Sequence, residues 1–208
     1  EDNKIRGLSK KGIKENFSTS TARSLYGASK LASELIAQEY ADTYKTKILI
    51  NRCGVIAGPG QFGKVDQGVF TMWVANHYFL KPLKYMGFGG FGKQVRDLLH
   101  PQDLFELICL QIERGKEKAG EIYNVGGGKN CSTSLLELSK ICQELTGNEV
   151  PISSQDRTSP VDIPLYLTDT TKVYDTFNWQ TKKNVQTIIS DIYLWLEKNE
   201  KRLKEIFC

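Results

Sequence analysis

The most informative stretch of this 208-residue chain is Ser24-Leu25-Tyr26-Gly27-Ala28-Ser29-Lys30. Its tyrosine and its lysine stand four residues apart, so a helix places them on one face, about one turn from each other. The surrounding sequence predicts that helix, because apolar residues follow with helical spacing as far as about Tyr44. Four hydroxyl side chains just before the tyrosine offer N-caps: Thr19, Ser20, Thr21 and Ser24.

Tyr26 and Lys30 could together move a proton. A free phenol is a poor base at neutral pH, whereas a cation held one turn away favours the phenolate. Such a tyrosine can take a proton from a substrate hydroxyl. Many surface helices carry Tyr-x-x-x-Lys by chance, so the alternative interpretation is a solvated pair without a catalytic role.

The composition is that of an ordinary globular chain and narrows the classes of partner. Hydrophobic residues make up 40% and charged residues 25% of the chain, values that do not indicate disorder. The net charge of +4 suits a phosphorylated substrate, but no concentrated basic face is present, so we expect no nucleic-acid partner. No apolar run approaches the ~18 residues of a membrane span and no signal peptide opens the chain, so we expect no membrane partner.

The cysteines and histidines indicate neither disulfides nor a metal site. The five cysteines are scattered, odd in number and without a Cys-x-x-Cys motif: Cys53, Cys109, Cys131, Cys142 and Cys208. This pattern predicts free thiols in a reducing, cytoplasmic compartment. His77 and His100 are too isolated to predict a metal centre.

Strands alternate with helices along the rest of the chain, which predicts α/β architecture. A buried parallel strand from Lys47 to Cys53 precedes a glycine-rich loop at residues 54–60, the position where open α/β sheets place ligands. Residues 1–16 are predicted to be a surface loop. The further predicted elements are strands at 83–88, 121–125 and 150–154, helices at 69–80, 134–145 and 184–201, a helix ending near Arg114, an irregular loop at 155–168, and a short helix capped by Thr168 or Asp169.

Two segments satisfy G-x-G-x-x-G, Gly58–Gly63 and Gly87–Gly92. A dinucleotide fingerprint needs a strand before it, a helix opening on it and an acidic residue ~20 positions further on. Neither segment meets these conditions, so both are predicted to be loops.

Tyr26–Lys30 resembles the catalytic helix of the extended short-chain dehydrogenase/reductase superfamily. The downstream blocks Gly63–Phe70 and Lys93–Asp97 resemble its nucleotide-sugar epimerases, most closely the CDP-paratose 2-epimerases, also called CDP-tyvelose epimerases. The resemblance implies the C-terminal part of an extended Rossmann-like, doubly wound sheet plus a smaller substrate-binding domain. It also implies that the family's glycine-rich NAD loop and its strand-borne catalytic Ser or Thr lie outside this chain.

The resemblance further implies a division of the chain and a reaction. The implied parts are the end of the NAD-binding Rossmann domain with the catalytic helix (1–60), a substrate-domain segment (61–100), a return to the Rossmann sheet (101–130) and a mostly substrate-binding part (131–208). The implied reaction is oxidation at sugar C2 by NAD and re-reduction on the other face, converting CDP-paratose to CDP-tyvelose. The intact enzyme is expected to be a homo-oligomer, and the 208 residues alone are expected not to epimerise.

Site residues are carried over from the same resemblance. Tyr26 is the expected acid/base, Lys30 its electrostatic support and a ribose ligand, and Gly54 a further cofactor contact. The expected substrate contacts are Gln67, Tyr85, Arg96 and Arg157, with Arg96 and Arg157 on the diphosphate.

Several alternatives stay open at this stage. For Arg96 the alternative is a structural ion pair with Asp97, Asp103 or Glu106. Leu83 and Phe88 could line a base or sugar pocket together with Tyr85, although Leu83 is expected in the core. The alternative functions are another nucleotide-sugar 4-epimerase or dehydratase, or a non-catalytic module that binds sugar nucleotides.

Overall fold

The protein consists mainly of short parallel strands that are covered by helices. The computed structural model describes residues 5–20, 24–63 and 67–207. The strands are β1 (Leu8–Ser9), β2 (Gly12–Ile13), β3 (Ile50–Cys53), β4 (Val55–Ile56), β5 (Leu83–Met86), β6 (Val95–Leu99), β7 (Ile122–Val125), β8 (Ser132–Ser134), β9 (Ile152–Gln155) and β10 (Leu165–Tyr166). The helices are α1 (Leu25–Tyr44), α2 (Val69–Tyr78), α3 (Pro101–Arg114), α4 (Leu135–Thr146), α5 (Thr171–Phe177), α6 (Val185–Lys198) and α7 (Glu200–Phe207). The α/β class predicted from the sequence is confirmed.

Strand β6 is the centre of the largest sheet. It pairs in parallel with β4 and β10 and antiparallel with β8. Two further parallel pairs join β3 to β7 and β5 to β9. Strand β6 was not predicted as a strand, because Arg96 and Asp97 interrupt its apolar pattern.

Residues 98 and 99 of β6 connect two hydrophobic cores, because successive side chains of a strand point to opposite faces. Leu98 belongs to the first core and Leu99 to the second, and both are fully buried. The first core gathers side chains of α2, α4 and α6, among them Trp73, Leu138, Ile188 and Ile192. The second gathers side chains of α3, β7 and α5, among them Leu107, Tyr123, Val173 and Phe177.

Most predicted helices and strands are found within a few residues of their expected bounds, but four predictions were wrong. The loops predicted at 54–60 and at 155–168 contain strands β4 and β10. The N-terminal segment is not only a surface loop, because β1 and β2 form a hairpin and Ile13 bridges to Thr168. The last helix is not continuous, because α6 ends at Lys198 and α7 begins at Glu200.

Helix α1 packs against the rest of the protein with only a small part of its surface. None of its 20 residues is buried, and Arg52 of β3 holds it through an ion pair of 2.6 Å with Glu34. Within the described ranges, β3 pairs only with β7, so a position in the middle of a larger parallel sheet stays a prediction for it. No helix among the described residues is long and apolar enough to cross a bilayer.

Candidate functional site

The Tyr26 and Lys30 side chains lie together in the first turns of α1. Ser24 begins the helix, and its hydroxyl accepts a hydrogen bond from the Gly27 N–H at 3.0 Å. The Lys30 Nζ lies 5.4 Å from the centroid of the Tyr26 ring, within the range of a cation–π contact. Tyr26 is 61% exposed, so its phenol is open to a ligand. The helical spacing thus predicted this geometry correctly.

The loop after β3 lies over a buried acidic residue. The Gly54 N–H donates to the Val125 carbonyl at 2.8 Å. A Cβ at Gly54 would lie 3.3 Å from both Asp97 Oδ1 and Thr168 Oγ1, which is tighter than nine in ten real Cβ contacts. A side chain at position 54 would therefore need Asp97 or Thr168 to shift by a few tenths of an ångström. The cofactor contact expected at Gly54 stays a prediction.

Asp97 is fully buried and joins three segments of the chain. Its Oδ2 accepts hydrogen bonds from the Gly128 N–H at 2.9 Å and from the Thr168 N–H at 3.3 Å. Burial, which disfavours the charged form, raises the pKa of Asp97 above its ordinary value. From the sequence, Asp97 was considered only as an ion-pair partner of Arg96, whereas the strand places these neighbours on opposite faces.

A cavity of about 210 Å³ opens between α2, β5 and β6. One side is apolar and includes Phe70 and Trp73, and the other carries Lys84, Gln94 and Arg96. A pocket with an apolar wall and a few convergent polar groups is the usual form of a small-molecule site. Because an arginine and a lysine line it, the cavity can accept an anionic group beside a planar or apolar one.

Arg96 has a different ionic partner from the three considered in the sequence analysis. Its Nη2 lies 2.9 Å from Asp162 Oδ1, and its Nη1 donates to the Val95 carbonyl at 2.9 Å. Asp97, Asp103 and Glu106 form no ion pair with it among the described residues. Asp162 lies in the loop between β9 and β10 and also lines the cavity.

Tyr85 lies away from the cavity, in the first core. Its ring stacks on Trp73 at 5.7 Å, and its hydroxyl lies 2.7 Å from Ser139 Oγ. The β5 residues that face the cavity are its neighbours Lys84 and Met86. This position argues against a direct substrate contact by Tyr85. Leu83 is itself buried, as expected for a core residue.

The other two expected substrate residues lie at exposed positions. Gln67 is exposed just before α2 and does not line the cavity. Arg157 is exposed in the β9–β10 loop, between two residues that attach this loop to the glycine turn at 87–90. The Gly89 N–H donates to Asp156 Oδ1 at 2.9 Å, and the Phe88 N–H donates to Thr158 Oγ1 at 2.8 Å. Arg157 and Asp162 thus share one loop, and the structure brings only Asp162 onto Arg96.

Lys84, Gln94 and Asp162 were missed in the sequence analysis. The alternation of β5 carries a usable signal for Lys84, because Leu83 and Tyr85 are buried while Lys84 and Met86 are exposed. No local pattern points to Asp162, which is 66 residues from Arg96 along the chain.

Neither glycine-rich segment is a dinucleotide fingerprint, as predicted. Gly58–Gly63 lies in the loop after β4, and α2 begins only at Val69. Gly87–Gly92 contains a 3₁₀ turn and leads into strand β6. Among the residues that the structure describes, no group of three His, Cys, Asp or Glu side chains is placed to hold a metal ion.

The Tyr26–Lys30 pair and the cavity beside Arg96 are linked through the consecutive strands β3 and β4. Arg52 of β3 holds α1, with Tyr26 and Lys30, while β4 pairs with β6, the strand of Arg96. Only Gly54 separates β3 from β4.

The model of the NAD dependent epimerase/dehydratase family matches residues 7–126, more than half of the chain. The chain belongs to this family.

Relatives within the family carry out more than one reaction. The chain is 26% identical over 177 residues to the CDP-paratose 2-epimerase of Salmonella typhi, which covers 82% of this chain and 51% of that protein. The crystal structure of dTDP-glucose 4,6-dehydratase from Bacillus anthracis in complex with NAD is 26% identical, with a TM-score of 0.72 over 91% of this chain and 60% of that one.

A third comparison supports the fold alone. The UDP-glucuronic acid 4-epimerase from Bacillus cereus, in complex with UDP-glucuronic acid and NAD, has a TM-score of 0.79 at 20% identity and covers 94% of this chain and 59% of that one. The neighbours are Rossmann-fold enzymes, so the predicted fold class is confirmed. The chain spans about half the length of the relatives it matches.

Proposed function

We propose that this chain is the substrate-binding half of an NAD-dependent epimerase that inverts C2 of a CDP-dideoxy sugar, CDP-paratose to CDP-tyvelose. The observation that carries the proposal is the Tyr26–Lys30 pair on α1, within the segment matched by the family. The relative from Salmonella typhi supports the choice of sugar nucleotide. A dehydratase or a 4-epimerase is the second candidate, because relatives with both activities match the chain.

Tyr26 is the proposed acid/base. Its exposed phenolate takes the proton of the sugar C2 hydroxyl, and the resulting phenol later returns that proton to the sugar oxygen. The Lys30 ammonium, 5.4 Å from the ring, supports the anionic form before the first transfer and after the second. The same phenol and ammonium would serve an epimerase or a dehydratase, so they define the class of chemistry and not the sugar carbon.

The residues of this chain could hold the nicotinamide end of NAD. Tyr26 and Lys30 are both exposed on α1, and Lys30 would hold the nicotinamide ribose there. When bound, NAD supplies the oxidation and re-reduction of the sugar carbon. A pyrophosphate cradle needs a strand, a glycine turn and a helix N-terminus in that order, and the described residues contain none.

Arg96 is the proposed ligand of the substrate diphosphate. Its planar guanidinium can hold two phosphate oxygens, and the cavity beside it has an apolar wall for the rest of the nucleotide. Lys84 adds a second cation to the same cavity. Arg157 remains a proposed second phosphate ligand through a movement of its loop. The free thiols of Cys53, Cys109, Cys131 and Cys142 support a cytoplasmic setting.

The experiment is a Tyr26→Phe substitution in the enzyme that contains this chain, with CDP-paratose, UDP-glucose and dTDP-glucose offered as substrates and the products followed by NMR. We expect C2 epimerisation of CDP-paratose in the unsubstituted enzyme and a loss of turnover of ~100-fold or more in the variant, because the exchangeable proton is gone. The melting temperature should change little, since Tyr26 is exposed.

The matched control is Tyr44→Phe, the same change at the other end of the same exposed helix, which should retain full turnover. Near-normal turnover in Tyr26→Phe would contradict the acid/base role. Conversion of UDP-glucose or dTDP-glucose instead of CDP-paratose would assign the protein to the second candidate.

A further inference from the structure

The loop that carries Asp162 is fixed at both ends and exposed in the middle. Asp156 and Thr158 attach its beginning to the glycine turn, and its end is held where the Val95 N–H donates to the Pro164 carbonyl at 2.9 Å. Residues 159–163 between these points are all exposed. This part of the loop can therefore move without breaking either attachment.

Asp162 places a carboxylate at the group that we propose for substrate phosphate. Its Oδ1 lies 2.9 Å from Arg96 Nη2 and also accepts a hydrogen bond from the Ile163 N–H at 2.8 Å. The Asp162 N–H donates to the Ser159 carbonyl at 3.0 Å, which directs the side chain towards β6. A carboxylate and a phosphate are alternative partners for one guanidinium fork.

We propose that Asp162 is a built-in competitor of the substrate diphosphate and sets the affinity of the Arg96 cavity. This inference rests on the proposed function of Arg96. In the free protein the Asp162 carboxylate pairs with Arg96 and keeps the guanidinium oriented towards the cavity. The diphosphate displaces this carboxylate, and residues 159–163 move away because like charges repel.

The Arg96–Asp162 pair is suited to displacement. The two side chains are 24% and 35% exposed, and ion pairs with this much solvent contact are weak. Replacing the carboxylate by a neutral amide of the same shape should therefore raise diphosphate affinity by a modest factor, about two- to fivefold.

The experiment is calorimetric titration of CDP into the enzyme that contains this chain and into three variants of that enzyme. Asp162→Asn should bind CDP more tightly than the unsubstituted chain. Asp156→Asn is the matched control, because it removes the same charge from the same loop while its amide oxygen can still accept from Gly89. Arg96→Lys keeps the charge but loses the planar fork, so it should bind CDP at least about fivefold more weakly.

The outcomes separate the two proposals. Unchanged CDP affinity in Arg96→Lys would show that Arg96 does not bind the diphosphate, which overturns the role in the proposed function. Weaker binding in Arg96→Lys, together with no gain in Asp162→Asn over Asp156→Asn, would overturn the competitor role alone. Weaker binding in Asp162→Asn would show that Asp162 itself contacts the nucleotide, and this result would also overturn the competitor role.

Hydrogen exchange gives an independent measurement. The Ile163 amide loses its acceptor if CDP displaces the Asp162 side chain, so its exchange should become faster when CDP binds. The Gly89 amide, whose acceptor Asp156 stays in place, should exchange at an unchanged rate. Slower exchange at Ile163 with CDP would contradict the displacement.

Discussion

Asp97 shows how one buried residue can join distant segments of the chain. It is fully buried and accepts backbone hydrogen bonds from Gly128 and Thr168, which lie far apart along the chain. It lies beneath Gly54, so the end of β3 is close to the middle of β6. A buried carboxylate of this kind keeps the segments together, while its charge remains costly.

The raised pKa of Asp97 predicts a pH-dependent stability. Because the folded-state pKa lies above the ordinary value of 3.8, the unfolded chain loses its proton first as the pH rises. The contribution of Asp97 is therefore complete below the unfolded pKa and declines as the pH rises through the folded pKa. The stability advantage of the unsubstituted protein over Asp97→Asn should be larger near pH 3.5 than at pH 7.

Urea denaturation at several pH values measures this difference. The exposed residue Asp42 provides the control Asp42→Asn, which should show no comparable trend. An advantage over Asp97→Asn that grows towards neutral pH would contradict the prediction.

At the scale of elements, local signals define α4 most completely. Ser134 and Glu137 form a capping box, in which Ser134 Oγ accepts from the Glu137 N–H at 3.2 Å and Glu137 Oε2 accepts from the Ser134 N–H at 2.8 Å. The hydrogen bond from the Ser134 backbone lowers the pKa of Glu137. Gly147 ends the helix with a φ of 70°, a conformation that costs glycine little.

Loss of the capping box should destabilise the protein. Ser134→Ala removes the side-chain acceptor from a buried helix start, so we expect a loss of about 1–2 kcal/mol in the free energy of unfolding. Chemical denaturation measures it, and Ser33→Ala in the exposed α1 is the control, with an expected change within about 0.5 kcal/mol. Equal effects of the two substitutions would show that the box contributes nothing specific.

At the scale of the molecule, the described part of the chain contains the cavity beside Arg96 and the Tyr26–Lys30 pair, without a dinucleotide cradle. Two cores joined through β6 stabilise the cavity. By contrast, α1 has no buried residue, and apolar side chains along it are exposed, including Leu25 and Ile36. The Tyr26–Lys30 pair, the proposed acid/base, is therefore on the less supported part of the structure.

This contrast predicts that the two ligands behave differently. The 208-residue chain should bind CDP, because Arg96 and the cavity are supported by the cores, but it should neither bind NAD⁺ tightly nor turn over a sugar nucleotide. Calorimetry with each ligand and an NMR turnover assay on protein of confirmed mass would test this. Micromolar NAD⁺ affinity together with turnover would show that the cofactor site lies within this chain.

The sequence by itself determined the elements and groups that depend on neighbours along the chain. Helical spacing and a hydroxyl cap are local properties, so α1 and the meeting of Tyr26 with Lys30 could be predicted. The same holds for the end of α4 at Gly147 and for the assignment of the glycine segments to loops. The family resemblance added the expected fold, which the structural neighbours confirm.

Only the tertiary structure decided which distant groups meet. Arg96 and Asp162 are 66 residues apart, and they pair because β10 returns beside β6. Tyr85 was expected at the substrate. In the structure β5 pairs with β9, and Tyr85 lies on the face of β5 that packs against Trp73. Such contacts depend on strand order and on the face that each strand presents, and a pattern of neighbouring residues does not encode which later segment will cover it.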